Sequence, residues 1–309
     1  MTGREDRRKK KFAVHWKNKA ESPALAVIGK GNRLRKDAAW FEKKSLAGKT
    51  VLMTRPKGQA AVLREILEAR GARVIESPVI KILPPKEWAP LDSALQDLRS
   101  FDWIVFTSTN GVDSVLGRVK ALGKDARLLA PVKIAAIGEA TVKRLEENGI
   151  RADFMAGTYT SAVLLESLKK MREVRSRRFL LPRTDIAPEE LRKGLEAGGG
   201  IVTEVIAYRT IPVRSAIGKR RFGELFSKKK VDYVTFTSAS TVRYFFEALP
   251  RSLRKRIKDK VRFVSIGPVT SRKLREYGAR PYREAEIHTM SGLVAALENG
   301  QRQVLSHVD

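Results

Sequence analysis

From Thr50 onward the apolar positions arrive in short β-branched and aromatic runs: VLMT (51–54), IVFT (104–107), IAAI (134–137), YVTFT (233–237) and FVSI (263–266). These runs show little apolar–polar alternation, which predicts strands covered on both faces, as in a parallel sheet. Between them the period lengthens. Val62, Ile66 and Leu67, and later Leu191 and Leu195, recur at the spacing of one buried helix face, and Gly71 and Gly198 stand where those helices are expected to stop. Runs of strand, turn and helix in succession predict an α/β fold.

The pattern repeats itself after about 130 residues, too long a period for a solenoid unit and suited to a duplicated domain. Segment 50–84 parallels 178–212, and 101–116 (FDWIVFTSTNGVDSVL) parallels 231–246 (VDYVTFTSASTVRYFF). Likewise 134–154 parallels 263–283, and 158–169 (TYTSAVLLESLK) parallels 287–298 (IHTMSGLVAALE). Each copy reads strand, helix, strand, connector, then strand, helix, strand, helix, short strand, helix. Two similar α/β lobes are expected.

Residues 1–48 stand outside the repeat as a basic N-terminal extension, with 14 Lys+Arg against 5 Asp+Glu and an unbroken basic run from Arg7 to Lys11. The whole chain of 309 residues carries 62 Lys+Arg against 34 Asp+Glu, a formal charge of +28, which favours an anionic partner without choosing among nucleic acid, acidic lipid and a polycarboxylate. The absence of Cys removes disulfides and thiolate chemistry, and three scattered His residues form no metal-binding pattern. No window approaches a membrane span and no apolar signal core follows the first residues, so the cytoplasm is the expected location.

Four expected strand-to-helix turns are rich in hydroxyl and glycine residues: Thr107-Ser108-Thr109-Asn110-Gly111, Gly138-Glu139-Ala140-Thr141, Thr237-Ser238-Ala239-Ser240 and Gly267-Pro268-Val269-Thr270. Each would present unpaired N–H groups at the positive end of a helix on the carboxyl edge of a sheet, where open α/β sheets take ligands. Read plainly, the same residues are ordinary N-caps; four equivalent turns are what points beyond capping. Arg55 and Arg183 are equivalent in the repeat and close the first strand of each copy, which suits them to carboxylates, although a chain this basic has many surface arginines. The connectors correspond as Ile80-Lys81-Ile82 and Tyr208-Arg209-Thr210, so the second copy has a phenol where the first has an aliphatic. A phenol can give a proton or ligate an oxygen, and it is also a common strand aromatic. His288, which matches Tyr159 across the repeat, is the other titratable candidate, though a His at a helix start is usually polar surface. Paired carboxylates, Ser-His-Asp arrangements and a P-loop are not present.

In this order the motifs VFTSTNGV (105–112), AAIGEATVKRL (135–145), AYRT (207–210), FTSASTV (236–242), SIGPVTSRKLREYG (265–278) and HTMSGLVAAL (288–297) resemble those of uroporphyrinogen-III synthases, over about residues 48–299. The resemblance implies two flavodoxin-like parallel-sheet lobes joined by a two-stranded ladder. Lobe one would comprise residues 49–82 and 209–300, and lobe two residues 83–208. It implies an enzyme without a cofactor that cyclises hydroxymethylbilane, with loss of water and inversion of ring D, to uroporphyrinogen III. The substrate would lie between the lobes against Thr107, Ser108, Asn110, Gly138, Thr141, Ser238, Gly267 and Thr270, while Tyr208 matches the tyrosine proposed to help the terminal hydroxyl leave. Val269 departs from the polar residue many relatives carry, which leaves Thr270 to serve that turn alone. Segment 21–55 looks like the junction at which a uroporphyrinogen-III C-methyltransferase ends and a fused synthase begins. A contact with such a methyltransferase, or with the hydroxymethylbilane synthase that makes the substrate, is therefore expected.

Two readings from other classes compete. A nucleic-acid-binding protein would explain the charge, but outside the extension the basic residues are spread over helices, with no aromatic-interleaved strand and no recognition-helix motif. A bilobed ligand sensor would share the fold and differ only in forming no product.

Overall fold

In the computed structural model, residues 44–156, 160–213, 224–226 and 230–305 are described. The basic run, most of the methyltransferase-like junction and Tyr159 lie outside them.

Two sheets organise the chain. The first is five-stranded and wholly parallel, in the order Pro281–Glu284 (β11), Arg262–Ser265 (β10), Tyr233–Phe236 (β9), Thr50–Met53 (β1), Arg73–Glu76 (β2). The second is six-stranded, in the order Ile80–Leu83 (β3), Ile201–Pro212 (β8), Arg178–Thr184 (β7), Trp103–Phe106 (β4), Lys133–Ile137 (β5), Phe154–Ala156 (β6). Its pairs are parallel except β3 with β8, which run antiparallel with Ile80 opposite Pro212 and Leu83 opposite Arg209.

The repeats have exchanged strands. β1 from the first copy pairs with β9 from the second, and β7 from the second pairs with β4 from the first. Matching aspartates anchor both exchanges: the Thr50 N–H donates to Asp232 Oδ2 at 2.7 Å, and the Arg178 N–H donates to Asp102 Oδ2 at 2.8 Å.

Each sheet is covered on both faces, the burial that continuous apolar strands require. In β1, Leu52 packs with Phe236, Phe245 and Phe263 on one face, while Val51 and Met53 pack with Leu63, Leu67 and Leu293 on the other. In the second sheet, Ile104 and Phe106 meet Val112 and Leu145, and Trp103 and Val105 meet Leu164 and Leu191. The covering helices in chain order are Ala61–Ala69 (α1), Ala89–Gln96 (α2), Thr109–Ala121 (α3), Glu139–Glu146 (α4), Ser161–Lys170 (α5), Glu190–Ala197 (α6), Ala239–Ala248 (α7), Arg251–Lys258 (α8), Pro268–Glu276 (α9) and Met290–Leu305 (α10). None of the described helices is long and apolar enough to cross a membrane.

Two of these helices go beyond the expected elements. α2 is eight residues long and buries Leu91, Ala94 and Leu95. α8 buries only Leu253 and Ile257, four apart, amid basic residues, so its apolar signal is faint. One expected helix stop also moves. Gly71 has φ +84 after α1, but in the second copy Gly198 sits at φ −82 and the left-handed turn falls on Gly199 at φ +83. The segment read as an extension to residue 48 is already packed at its end, since Leu46 is wholly buried beside Val51 and Leu67.

Candidate active site

The four turns singled out from the sequence all follow the carboxyl ends of parallel strands, at β4–α3, β5–α4, β9–α7 and β10–α9. Ser108 and Ser238 adopt the same extended backbone, φ −163 and −164, and both cap their helices. Ser108 Oγ accepts from the Gly111 N–H at 3.1 Å, and Ser238 Oγ from the Thr241 N–H at 3.3 Å. The capping role is therefore real. It satisfies one donor at each end and leaves the first helical N–H groups, those of Thr109 and Asn110 and of Ala239 and Ser240, without a carbonyl one turn back. Gly138 and Gly267 cap α4 and α9 with no side chain at all, so main-chain N–H groups and the positive helix end are what those turns offer an anion. The Thr107 and Ser108 side chains are half-buried.

Thr141 and Thr270 are placed differently from the expectation. Each is 3% exposed, which leaves their hydroxyls inside the lobes and only the main chain of their turns for a ligand. The bracketing arginines diverge as well. Arg183 is 4% exposed, donates from Nη1 to the Pro188 carbonyl at 2.9 Å and stands 3.7 Å from Glu204, so it braces the loop after β7. Arg55 is half-buried, lies with Nη1 against Met290 Sδ and donates from Nη2 to Gln59 Oε1 at 3.4 Å. In both, Nε is buried without a hydrogen-bond partner and burial lowers the guanidinium's pKa.

Tyr208 owes its position to an irregularity in β8. The β7–β8 register pairs Arg183 with Ile206 and then Thr184 with Tyr208, passing over Ala207. Such a bulge shifts the side-chain phase by one. Before it, Val205 and Ala207 are inward and Ile206 outward; after it, Tyr208 and Thr210 are inward. The phenol is 7% exposed and 2.9 Å from Ser108 Oγ, with the Asn110 side chain close enough to influence its pKa. Burial raises its pKa above the ordinary value, a shift opposed by Ser108 and Asn110, so at neutral pH the group is a protonated donor. In the first copy the equivalent Ile80 is simply buried among apolar residues.

Two further residues reach these turns: Gln59, which the sequence reading did not name, and His288, which it named as a candidate. Gln59, in the loop after β1, donates from Nε2 to Asn110 Oδ1 at 2.6 Å and ties the carboxyl edge of the first sheet to that of the second. The sequence signal for it was the repeat itself, which sets Gln59 against Ala187. The His288 imidazole lies over Gly267, where a Cβ would meet the ring at 3.0 Å, so any side chain there would press the ring aside. His288 is half-buried, and its pKa is lowered by burial, against the raising influence of Glu284 and of Glu139 on the opposing sheet's turn. Among the described residues no cluster of His, Asp and Glu could hold a metal ion.

The family model for uroporphyrinogen-III synthase HemD matches residues 61–295. The uroporphyrinogen-III synthase of Synechococcus elongatus is 34% identical over 268 residues, covering 84% of this chain and 97% of that protein. The porphyrin biosynthesis protein HemD of Ruminiclostridium josui is 30% identical over 277 residues, covering 90% of this chain and 53% of that longer protein. Among solved structures, a mutant uroporphyrinogen III synthase from Thermus thermophilus matches with a TM-score of 0.62 at 22% identity, covering 83% of this chain and 100% of that one, a likeness of fold. Sequence match along nearly the whole repeat, over the same strand-end turns that the sheets bring into play, gives one conclusion: the chain belongs to the uroporphyrinogen-III synthase family.

Proposed function

We propose that the chain converts hydroxymethylbilane to uroporphyrinogen III between the carboxyl edges of its two sheets, with Tyr208 giving a proton to the departing hydroxyl. The observation that carries this reading is the buried phenol of Tyr208, 2.9 Å from Ser108 Oγ and beside the N-terminus of α3. The carbon–oxygen bond breaks as the adjacent pyrrole nitrogen supplies its electron pair and the phenol its proton, which releases water and leaves a phenolate and a protonated azafulvene, an azafulvenium cation that keeps its N–H. The substituted carbon of ring D then attacks to form a spiro intermediate. Cleavage and reclosure invert ring D, and the proton lost on rearomatisation returns to the phenolate. The eight substrate carboxylates would meet main-chain N–H groups at the turns of Ser108, Gly138, Ser238 and Gly267, with Arg55 at the rim. Arg183, Thr141 and Thr270 would support these turns from within. Because the linear substrate also closes unaided to the symmetric isomer, the protein's contribution is largely to hold it in the reactive shape.

The strand exchange supports a division into a discontinuous lobe, residues 49–82 with 209–300, and a continuous one, residues 83–208. The Ruminiclostridium relative supports the fusion reading of the N-terminal segment: a match to 90% of this chain takes in more than residues 48–309 supply, and it fills 53% of that protein. We therefore read residues 21–48 as resembling a junction with a uroporphyrinogen-III C-methyltransferase, and that enzyme or the hydroxymethylbilane synthase as the partner to test, in the cytoplasm.

The deciding experiment supplies hydroxymethylbilane to the purified chain and identifies the uroporphyrin isomer after oxidation. Isomer III above the spontaneous background is expected. Isomer I alone, from folded protein, would leave a ligand-binding protein without turnover.

A further inference from the structure

The hydrogen bonds that reach Tyr208 have a direction, and it is set at Arg55. A guanidinium has donors only, so the Gln59 atom facing Arg55 Nη2 is the carbonyl Oε1, and Nε2 is left to face Asn110. Nε2 in turn can only donate. The Asn110 atom 2.6 Å away is accordingly Oδ1, which leaves the Asn110 amide nitrogen to face Tyr208, whose pKa Asn110 lowers, as a donor near the phenol oxygen does. Ser108 Oγ already accepts from the Gly111 N–H, so its own proton can fill the phenol's other lone pair across 2.9 Å. When Ser108 donates across this bond, both acceptor positions of the phenol are filled from within the chain and its proton is available to a group outside it.

We propose that Gln59 is a positioning residue for Tyr208: it fixes which way round the Asn110 amide stands, and it does so from the opposite sheet. The inference rests on the reading of Tyr208 as the proton donor. Gln59 belongs to the loop after β1 of the five-stranded sheet, whereas Asn110 opens α3 on the six-stranded one, so the phenol is prepared as a donor only when the two sheet edges stand together. The repeat supports a specific role. In the second copy Ala187 replaces Gln59, the equivalent Arg183 turns to the Pro188 carbonyl, and the connector there faces no phenol in the first copy, where Ile80 stands instead.

Gln59→Glu is the decisive variant because it keeps the size and reverses the polarity. The new carboxylate accepts from Arg55 as before but cannot donate to Asn110, whose amide must turn its nitrogen toward it and its Oδ1 toward Tyr208. The phenol then spends its proton on Oδ1. Turnover should fall roughly 10-fold or more in Gln59→Glu and less in Gln59→Ala, which leaves Asn110 free to rotate, with KM within about twofold in both. Residue 59 acting only through packing would give the opposite order, Ala worse than Glu. Placed on Tyr208→Phe, Gln59→Glu should add less than about a twofold loss, since the group it positions is gone. Thermal melting checks that each variant is folded. Full turnover in folded Gln59→Glu, or an equal fold-loss with and without the phenol, overturns the inference while leaving Tyr208 in place. Full turnover in Tyr208→Phe by itself removes the reading beneath it, and the single variant reports that independently.

Discussion

Tyr208 acts in the proposed reaction as a buried phenol that lends its proton and takes it back within one turnover. Removing its hydroxyl in Tyr208→Phe should lower kcat roughly 10- to 100-fold, the effect of one transition-state hydrogen bond of about 1.4–2.7 kcal/mol, with KM little changed. Steady-state kinetics with the spontaneous isomer I background subtracted will measure it. The pH dependence follows from the direction of the shift. Burial holds the phenol's pKa above its ordinary value of 10.0, so the folded chain keeps this proton more tightly than the unfolded one. The resulting stability is whole below about pH 10 and is lost as pH climbs through the raised folded value. A kcat profile that fell away with a midpoint well below 10 would assign the essential proton to another group. Arg183 is expected to behave as support: Arg183→Met should lower the melting temperature and leave KM for hydroxymethylbilane near that of the parent, whereas a raised KM with unchanged melting would return it to the binding surface. At this scale the sequence marked Tyr208 and Asn110 because the repeat breaks or a turn motif names them. Gln59 escaped because the role proposed for it lies in which amide atom faces which neighbour, and the burial of Thr141 and Thr270 was not legible because hydroxyl residues look the same whether they face a ligand or a core.

The matching turns at Ser108 and Ser238 offer an internal control at the level of elements. Both serines cap a helix with the same backbone conformation, but only Ser108 also touches a phenol. Ser108→Ala and Ser238→Ala should each lower stability by about 0.5–2 kcal/mol, the usual worth of an N-cap. Only Ser108→Ala should lower kcat, because Tyr208 then loses a partner. Denaturant melts paired with turnover assays separate the two effects, and equal kinetic losses would show that the serines serve substrate alike. The strands and most helices were legible because continuous apolar runs and one-faced helices leave strong periodic signals. α8 was not, since Leu253 and Ile257 alone mark its buried face, and the β8 bulge was not, since passing over Ala207 depends on how β7 ends rather than on the residues of β8.

For the molecule as a whole, the strand exchange predicts unequal independence of the proposed lobes. Residues 84–208 contain β4 to β7 and the part of β8 that pairs with β7, so this fragment should fold cooperatively by itself. Residues 44–83 supply β1 and β2 but none of β9 to β11, and should remain unfolded unless 209–305 is added. Circular dichroism and chemical denaturation of the separate and mixed fragments test this. Folding of 44–83 alone, or a molten 84–208, would contradict the division.

The longest strand has a mechanical meaning. β8 runs unbroken for 12 residues, with 201–208 alongside β7 and 209–212 against β3, and Tyr208 occupies the last position before the partner changes. Beyond this point β8 runs with β3, the strand that follows β2 of the five-stranded sheet after only residues 77–79, so Tyr208 stands where the six-stranded sheet passes into the link to its neighbour. On the proposed reading, a substrate that draws the two sheet edges together would act on this link and so on the proton donor that stands at its root.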